Sequence, residues 1–213
     1  MGRKLIYFVR HGESELNKRG IRQGPEGPLS EKGRAQALTT ALKFPKVKGK
    51  PQIIISSPYE RAVETAQIIA RELNLPIEKS GLLSERRNPS QIIGRSIDER
   101  EVKLVIDQID GSFHDDDWRY SDEENFADLK KRSKKLLRFI AGRPEERIIM
   151  VTHKIFLKTV IAYMLYGKKL SASLENTLSY FNPIDNAGLT IVQYIPHILY
   201  PDEWKVVVWN DSA

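Results

Sequence analysis

The residues best equipped for chemistry follow the first apolar run of the chain. Ile6-Tyr7-Phe8-Val9 lead directly into Arg10-His11-Gly12-Glu13. An arginine brings a permanent cation whose paired N–H donors match an oxyanion. An imidazole brings a nitrogen that can act as a nucleophile. A glycine lets backbone N–H groups approach a ligand closely. Together they suit nitrogen attack on an oxyanionic group such as a phosphoryl ester. A tripeptide alone reads more readily as a polar turn after a strand. Two further junctions repeat the theme. Ser56-Ser57-Pro58-Tyr59-Glu60-Arg61 puts Arg61 in the first turn of a helix, and Thr152-His153-Lys154 again joins an apolar run to a helical one.

The elements that must position these residues alternate in period. Lys4–Val9, Gln52–Ser56 and Arg147–Thr152 read as buried strands,. Helices are predicted over Ser30–Leu42, Pro58–Leu73, Asp122–Ala141 and Lys154–Tyr166,. Ser30 is the expected N-cap of the first, with Ala35, Leu38, Ala41 and Leu42 as its apolar stripe,. Ala62, Ala66, Ile69, Ala70 and Leu73 should face inward from the second. Phe44–Pro51 reads as a Lys/Pro/Gly connection, and Leu189–Tyr194 and Lys205–Trp209 as two closing strands. Alternating βα units imply an α/β fold of helix–sheet–helix layers around a largely parallel sheet. Strand ends in such a sheet share one edge, so two arginines and two histidines can converge there.

Composition narrows the classes. The 213 residues are 40% hydrophobic and 29% charged, as in an ordinary globular chain,. We read one domain over 1–213, with a polar insertion at about 86–128 that covers the active site. That stretch mixes both charge signs with Phe113, Trp118 and Tyr120 and should hold an amphipathic helix near Ile97–Ile109. The aromatic pair Trp118 and Tyr120 could meet a substrate or anchor the insertion. A net charge of +6 favours anionic ligands,. The densest basic run, Lys130 to Lys135, rides above Phe126, Leu129, Leu136, Leu137 and Ile140 at helical spacing, so it reads as a solvated helix face,. No nucleic-acid-binding signature is present, and no nucleic-acid partner is expected. No stretch is long and apolar enough for a membrane span, and no membrane partner is expected. The lack of cysteine suits a reducing cytoplasm,. The chain leaves a homodimer open.

The motifs resemble those of the histidine phosphatase superfamily, also called phosphoglycerate mutase-like. Arg10-His11-Gly12-Glu13-Ser14 with Asn17 is similar to its signature. Gln23-Gly24 with Pro28-Leu29-Ser30-Glu31-Lys32-Gly33 is similar to its next block, and Ser56-Ser57-Pro58 with Arg61-Ala62 and Thr65-Ala66 to its third. Leu83-Ser84-Glu85 resembles the segment that bears the family's acid. Val151-Thr152-His153 resembles the last catalytic block, and Asn186-Ala187-Gly188 the turn before a late strand.

This resemblance implies the superfamily fold and a chemistry. His11 would attack phosphorus and become phosphohistidine, while Glu85 protonates the leaving oxygen and then activates water. Arg10, Asn17, Arg61 and His153 would hold the phosphoryl oxygens. The arginines supply the counter-charge, so no metal and no cofactor is expected. Three departures bear on the substrate. Lys154 follows His153 where the family often has glycine. The Gln23–Pro28 spacing is one residue short and lacks the usual Asp. Glu85-Arg86-Arg87 runs into Asn88-Pro89-Ser90, where the cofactor-dependent mutases continue with an aromatic and a glycine, and their later arginine pair is missing. These differences favour a phosphomonoester hydrolase for a small phosphorylated metabolite over the alternative, a cofactor-dependent phosphoglycerate mutase. A non-catalytic phospho-ligand-binding protein is the rival from another class. The run His114-Asp115-Asp116-Asp117 reads as a solvated loop, not a metal site,.

Overall fold

The computed structural model describes residues 2–44, 49–112, 114–199 and 202–212. Residues 45–48 of the expected connection, and Phe113, lie outside the described residues. Six strands form one sheet: β1 (Lys4–Arg10), β2 (Ile53–Ser56), β3 (Ile77–Lys79), β4 (Arg147–Thr152), β5 (Leu189–Ile195) and β6 (Glu203–Asp211), in the order β3-β2-β4-β1-β5-β6. β1 runs parallel to β4, and β4 and β3 run parallel to β2. β5 and β6 close the far side antiparallel. The sheet is thus largely parallel.

Ile6, Tyr7, Phe8 and Val9 are all fully buried, as a strand covered on both faces must be. Ile6 and Phe8 meet α5 (Phe126–Gly142) and α6 (Lys154–Tyr166) on one face. Tyr7 and Val9 meet α3 (Glu60–Leu73) and the end of α2 (Glu31–Ala41) on the other. The five inward residues expected on α3 are buried, joined by Arg61 and Thr65. The helix starts at Glu60 rather than Pro58 because Ser57 Oγ accepts the Tyr59 N–H and holds a turn there.

The stripe expected on α2 is corrected. Gly33, Ala37, Thr40 and Ala41 are buried, while Leu38 and Leu42 are 41% and 54% exposed. At Gly33 the helix lies directly against the loop after β1, Thr40 Oγ1 donates to the Ala187 carbonyl, and Ala41 packs in the core with Tyr7 and Val9. A Cβ on Gly33 would sit 1.9 Å from the Glu13 carbonyl oxygen. α5 also differs at its start and on its basic face. Asn125 caps it, accepting the Asp128 N–H, because Asp122 is engaged with the Ser90 N–H instead. Arg132 is not solvated: it pairs with Glu124, donates to the Leu82 and Ser84 carbonyls, and lies over the Phe156 ring.

Residues 86–128 contain α4 (Arg100–Asp110) and a small apolar cluster of Ile92, Val102 and Val105, with Tyr120 packed against it. Three short elements escaped the sequence reading: α1 (Glu15–Lys18), β3, and α7 (Ala172–Phe181). α1 is a single turn held by a Ser14–Asn17 capping box. β3 is three residues of edge strand whose pairing with β2 defines it. Among the described residues no helix is long and apolar enough to cross a membrane.

Candidate active site

The parallel strands bring their exits to one edge: Arg10 lies opposite Thr152, and Ser56 opposite Val151. His11 is fixed by its backbone there. Its N–H donates to the Thr152 carbonyl at 2.9 Å, and its carbonyl accepts from Asn186 Nδ2 at 3.1 Å and the Ala187 N–H at 3.2 Å. Its Nδ1 lies 2.7 Å from the Gly12 carbonyl oxygen. A carbonyl only accepts, so Nδ1 carries the proton and Nε2 keeps its lone pair. Arg61 Nε donates to that Nε2 at 3.2 Å. The Gly12 N–H is held by Thr65 Oγ1 at 3.1 Å. A Cβ on Gly12 would come 2.3 Å from the Gly33 carbonyl oxygen, so the two glycines let loop and helix close on one another.

Burial pushes His11 well below the ordinary imidazole range, and the Arg61 and Arg10 guanidinium groups add to the effect against the Gly12 hydrogen bond,. The ring is therefore neutral at neutral pH. His153, fully buried, stands 5.0 Å from His11 between ring centres and 5.1 Å from Tyr59. Its Nε2 lies 2.8 Å from Ser57 Oγ, and its Nδ1 is buried with no hydrogen-bond partner among the described residues. It too is held well below the ordinary range by burial, then by His11 and the arginines.

Arg61 is buried, donates to the Gly24 carbonyl at 2.9 Å and lies over the Tyr59 ring. Arg10 donates to the Ile184 carbonyl at 2.7 Å, while its Nε has no partner among the described residues. Burial lowers both guanidinium groups, but they stay charged,. Glu85 is held at the N-terminal end of α6. Its carboxylate accepts the N–H groups of Ile155 at 3.2 Å, Phe156 at 3.0 Å and Arg86 at 2.9 Å. The turn before it is tied down by Thr152 Oγ1 on the Leu83 carbonyl and by Arg132 on those of Leu82 and Ser84.

Arg10, His11, Asn17, Arg61 and Glu85 line one open cleft of about 460 Å³. Asn17 uses its amide oxygen on the Ser14 N–H, which leaves Nδ2 as its donor,. His153 is the exception among the expected residues: it touches His11 from behind and is not among the lining residues. The insertion contributes Arg86, Asn88, Ile97 and Ile106 to the wall, but neither Trp118 nor Tyr120. Asp115 and Asp116 accept backbone N–H groups of Asp117 and Ala172. Sequence reasoning missed Arg22 and Arg86 in the wall and Arg132 behind Glu85. The one signal that could have found Arg86 is its place beside the acid. Nothing in local spacing could mark Arg22, which reaches the site through a bridge between Ile21 and Ser96.

A central parallel sheet with an uncharged imidazole between two guanidinium groups at its rim defines a phosphoryl-handling fold. The chain belongs to the histidine phosphatase superfamily (branch 1), whose profile matches residues 6–212. It is 30% identical over 191 residues to a 2,3-bisphosphoglycerate-dependent phosphoglycerate mutase of Thermoplasma acidophilum, covering 89% of this chain and 86% of that protein. Solved structures share the fold. A mycobacterial glucosyl-3-phosphoglycerate phosphatase in complex with VO3 superposes with a TM-score of 0.76 at 23% identity, over 98% of this chain and all of that one. A phosphoserine phosphatase mutant from Entamoeba histolytica, in complex with phosphoserine, gives 0.74 at 24% identity over 98% and 97% of the two chains.

Proposed function

We propose that the protein is a phosphomonoester hydrolase that works through a phosphohistidine at His11 on a small phosphorylated metabolite. The observation that carries this reading is the state of one ring: the proton of His11 sits on Nδ1 and the Nε2 lone pair faces Arg61. On substrate binding the Arg61 guanidinium exchanges that contact for a phosphoryl oxygen, and Arg10 takes another with its free Nε,. The Nε2–P bond forms as the P–O ester bond breaks, and Glu85 gives its proton to the leaving oxygen. Water then attacks phosphorus, Glu85 takes a proton from it, and the N–P bond breaks to release inorganic phosphate. Asn17 adds a donor from the cleft wall, and His153 supports His11 and the phosphoryl group from behind. Residues 86–128 cover the site and set specificity. The lack of cysteine fits a cytoplasmic enzyme,.

Rapid-quench labelling with a ³²P-phosphomonoester tests the reading. Wild-type protein should trap an acid-labile, alkali-stable phosphoryl group, and His11→Ala should trap none and lose turnover while melting as the wild type does. Wild-type-like turnover in His11→Ala overturns the assignment. Binding with no covalent phosphate would point to a non-catalytic phospho-ligand protein. The mutase reading is favoured by the names of several relatives, the Thermoplasma protein among them. Incubation with 3-phosphoglycerate and a bisphosphate primer separates the two: a hydrolase releases inorganic phosphate, and a mutase accumulates 2-phosphoglycerate.

A further inference from the structure

A second opening lies away from the phosphate cleft, between α6, α7 and β6, with a volume of about 260 Å³. Ile161 and Leu165 of α6, Leu178 of α7, and Val206 and Trp209 of β6 make its walls apolar. None of them lines the cleft around His11. It is no sealed core void, because Leu165 is 57% exposed and Val206 37%. One end is polar. Lys158 stands on the same face of α6 as Ile161,. The half-buried Lys158 Nζ donates to the Ser179 carbonyl and keeps two further N–H donors,. It makes no ion pair among the described residues. Glu175 attracts it from beyond ion-pair reach, and the Glu175 Oε1 is already engaged by Ser179 and Thr159. Lys154 and Arg10 add positive charge around Lys158, and burial disfavours its ammonium. Asn182, at the same wall, spends one amide N–H on the Leu178 carbonyl at 2.7 Å and has a second to offer,. One unpaired cation and one neutral donor thus open onto an apolar trough, a match for a single anionic head on a hydrocarbon body. At the ~30 Å³ that a water-sized group takes in a liquid, the space suits about eight to ten non-hydrogen atoms.

We propose that this opening binds a small amphipathic monocarboxylate, a straight chain of about six to eight carbons, with its carboxylate on Lys158 and Asn182 and its chain along Leu165, Leu178, Val206 and Trp209. A slim ligand reaches the recessed ammonium. The flat face of a protein or a bilayer would meet the apolar rim and leave the charge unpaired. The site stands apart from the phosphoryl chemistry and does not depend on the phosphatase reading.

Calorimetry on the full chain with octanoate, butyrate and octylammonium tests the proposal. The wild type should bind octanoate at least about tenfold more tightly than butyrate, which keeps the head and loses chain. It should also prefer octanoate at least about tenfold over octylammonium, which keeps the chain and reverses the head. Saturating inorganic phosphate should leave the octanoate affinity unchanged within about twofold, because the two ligands share no lining residue,. Lys158→Met should bring octanoate and octylammonium to within about threefold of one another. Leu165→Glu, on the exposed side of α6, should weaken octanoate at least about tenfold while the circular dichroism spectrum stays that of the wild type. Absence of octanoate binding, equal binding of the two octyl ligands, displacement by phosphate, or wild-type affinity in both variants overturns the proposal. Should octanoate fail to bind and the wild type self-associate in a way that Leu165→Glu abolishes, the face belongs to a second copy of the chain and the carboxylate site falls.

Discussion

His11, the proposed nucleophile, is kept uncharged by its surroundings, and the same burial makes stability depend on pH. His11 and His153 are both buried and both held well below the range they have in an unfolded chain. As pH falls below about 6.5, the unfolded chain takes up protons at these two positions that the folded protein refuses, so acidification favours unfolding. Stability that is complete above the unfolded value should fall by up to about 2.7 kcal/mol per pH unit, at about 1.4 for each ring. Denaturant titrations between pH 7 and 5.5 check this: the slope should drop by about half in His153→Asn, and an unchanged slope argues against neutral burial. Glu85 carries a prediction of another kind. Glu85→Gln should slow alkyl phosphates by about 10²–10³ and p-nitrophenyl phosphate far less, because a good leaving group needs no proton. Equal slowing along a leaving-group series would remove Glu85 from proton transfer.

Elements place these groups, and one contact between elements is unusually tight. Gly33 of α2 touches the backbone of Glu13, two residues beyond His11, and leaves no room for a methyl group. Gly33→Ala should cost about 2–3 kcal/mol in urea denaturation and lower turnover, because the loop carrying His11 must move to admit the Cβ. Wild-type stability in that variant would show that the packing is looser than described. This contact also explains what the sequence could and could not disclose. The three strand exits were legible because apolar runs followed within a few residues by Arg10, Arg61 and His153 state both period and chemistry locally. The inward face of α2 was not, because hydrophobicity points to Leu38 and Leu42, whereas the fold buries Gly33, set against the loop after β1, with Ala37, Thr40 and Ala41. The role of Arg132 was hidden for a related reason. A basic residue in a basic run reads as solvated until its partners, Glu124 and two carbonyls from residues 82 and 84, are brought to it by the fold.

The whole molecule carries a net charge of +6 and gathers five cations around one cleft. Such a field draws in anions over distances that salt screens. Raising ionic strength from about 0.05 to 0.5 M should therefore lower kcat/KM for a dianionic ester roughly three- to tenfold, with kcat little changed. A salt-insensitive kcat/KM would mean that the field does not guide encounter. Chain order adds a different constraint. β1 leads into His11, the proposed nucleophile, yet Leu5 has its partners at Arg147 and Gln193, and the carbonyl of His11 is held by Asn186 and Ala187. Segments nearly two hundred residues apart must find each other before the pocket exists, and such long-range closure is slow,. During synthesis a nascent chain halted ahead of residue 186 would leave the β1 edge open to other chains and the backbone of His11 unheld, so the ribosome must pass β5 before this pocket can form.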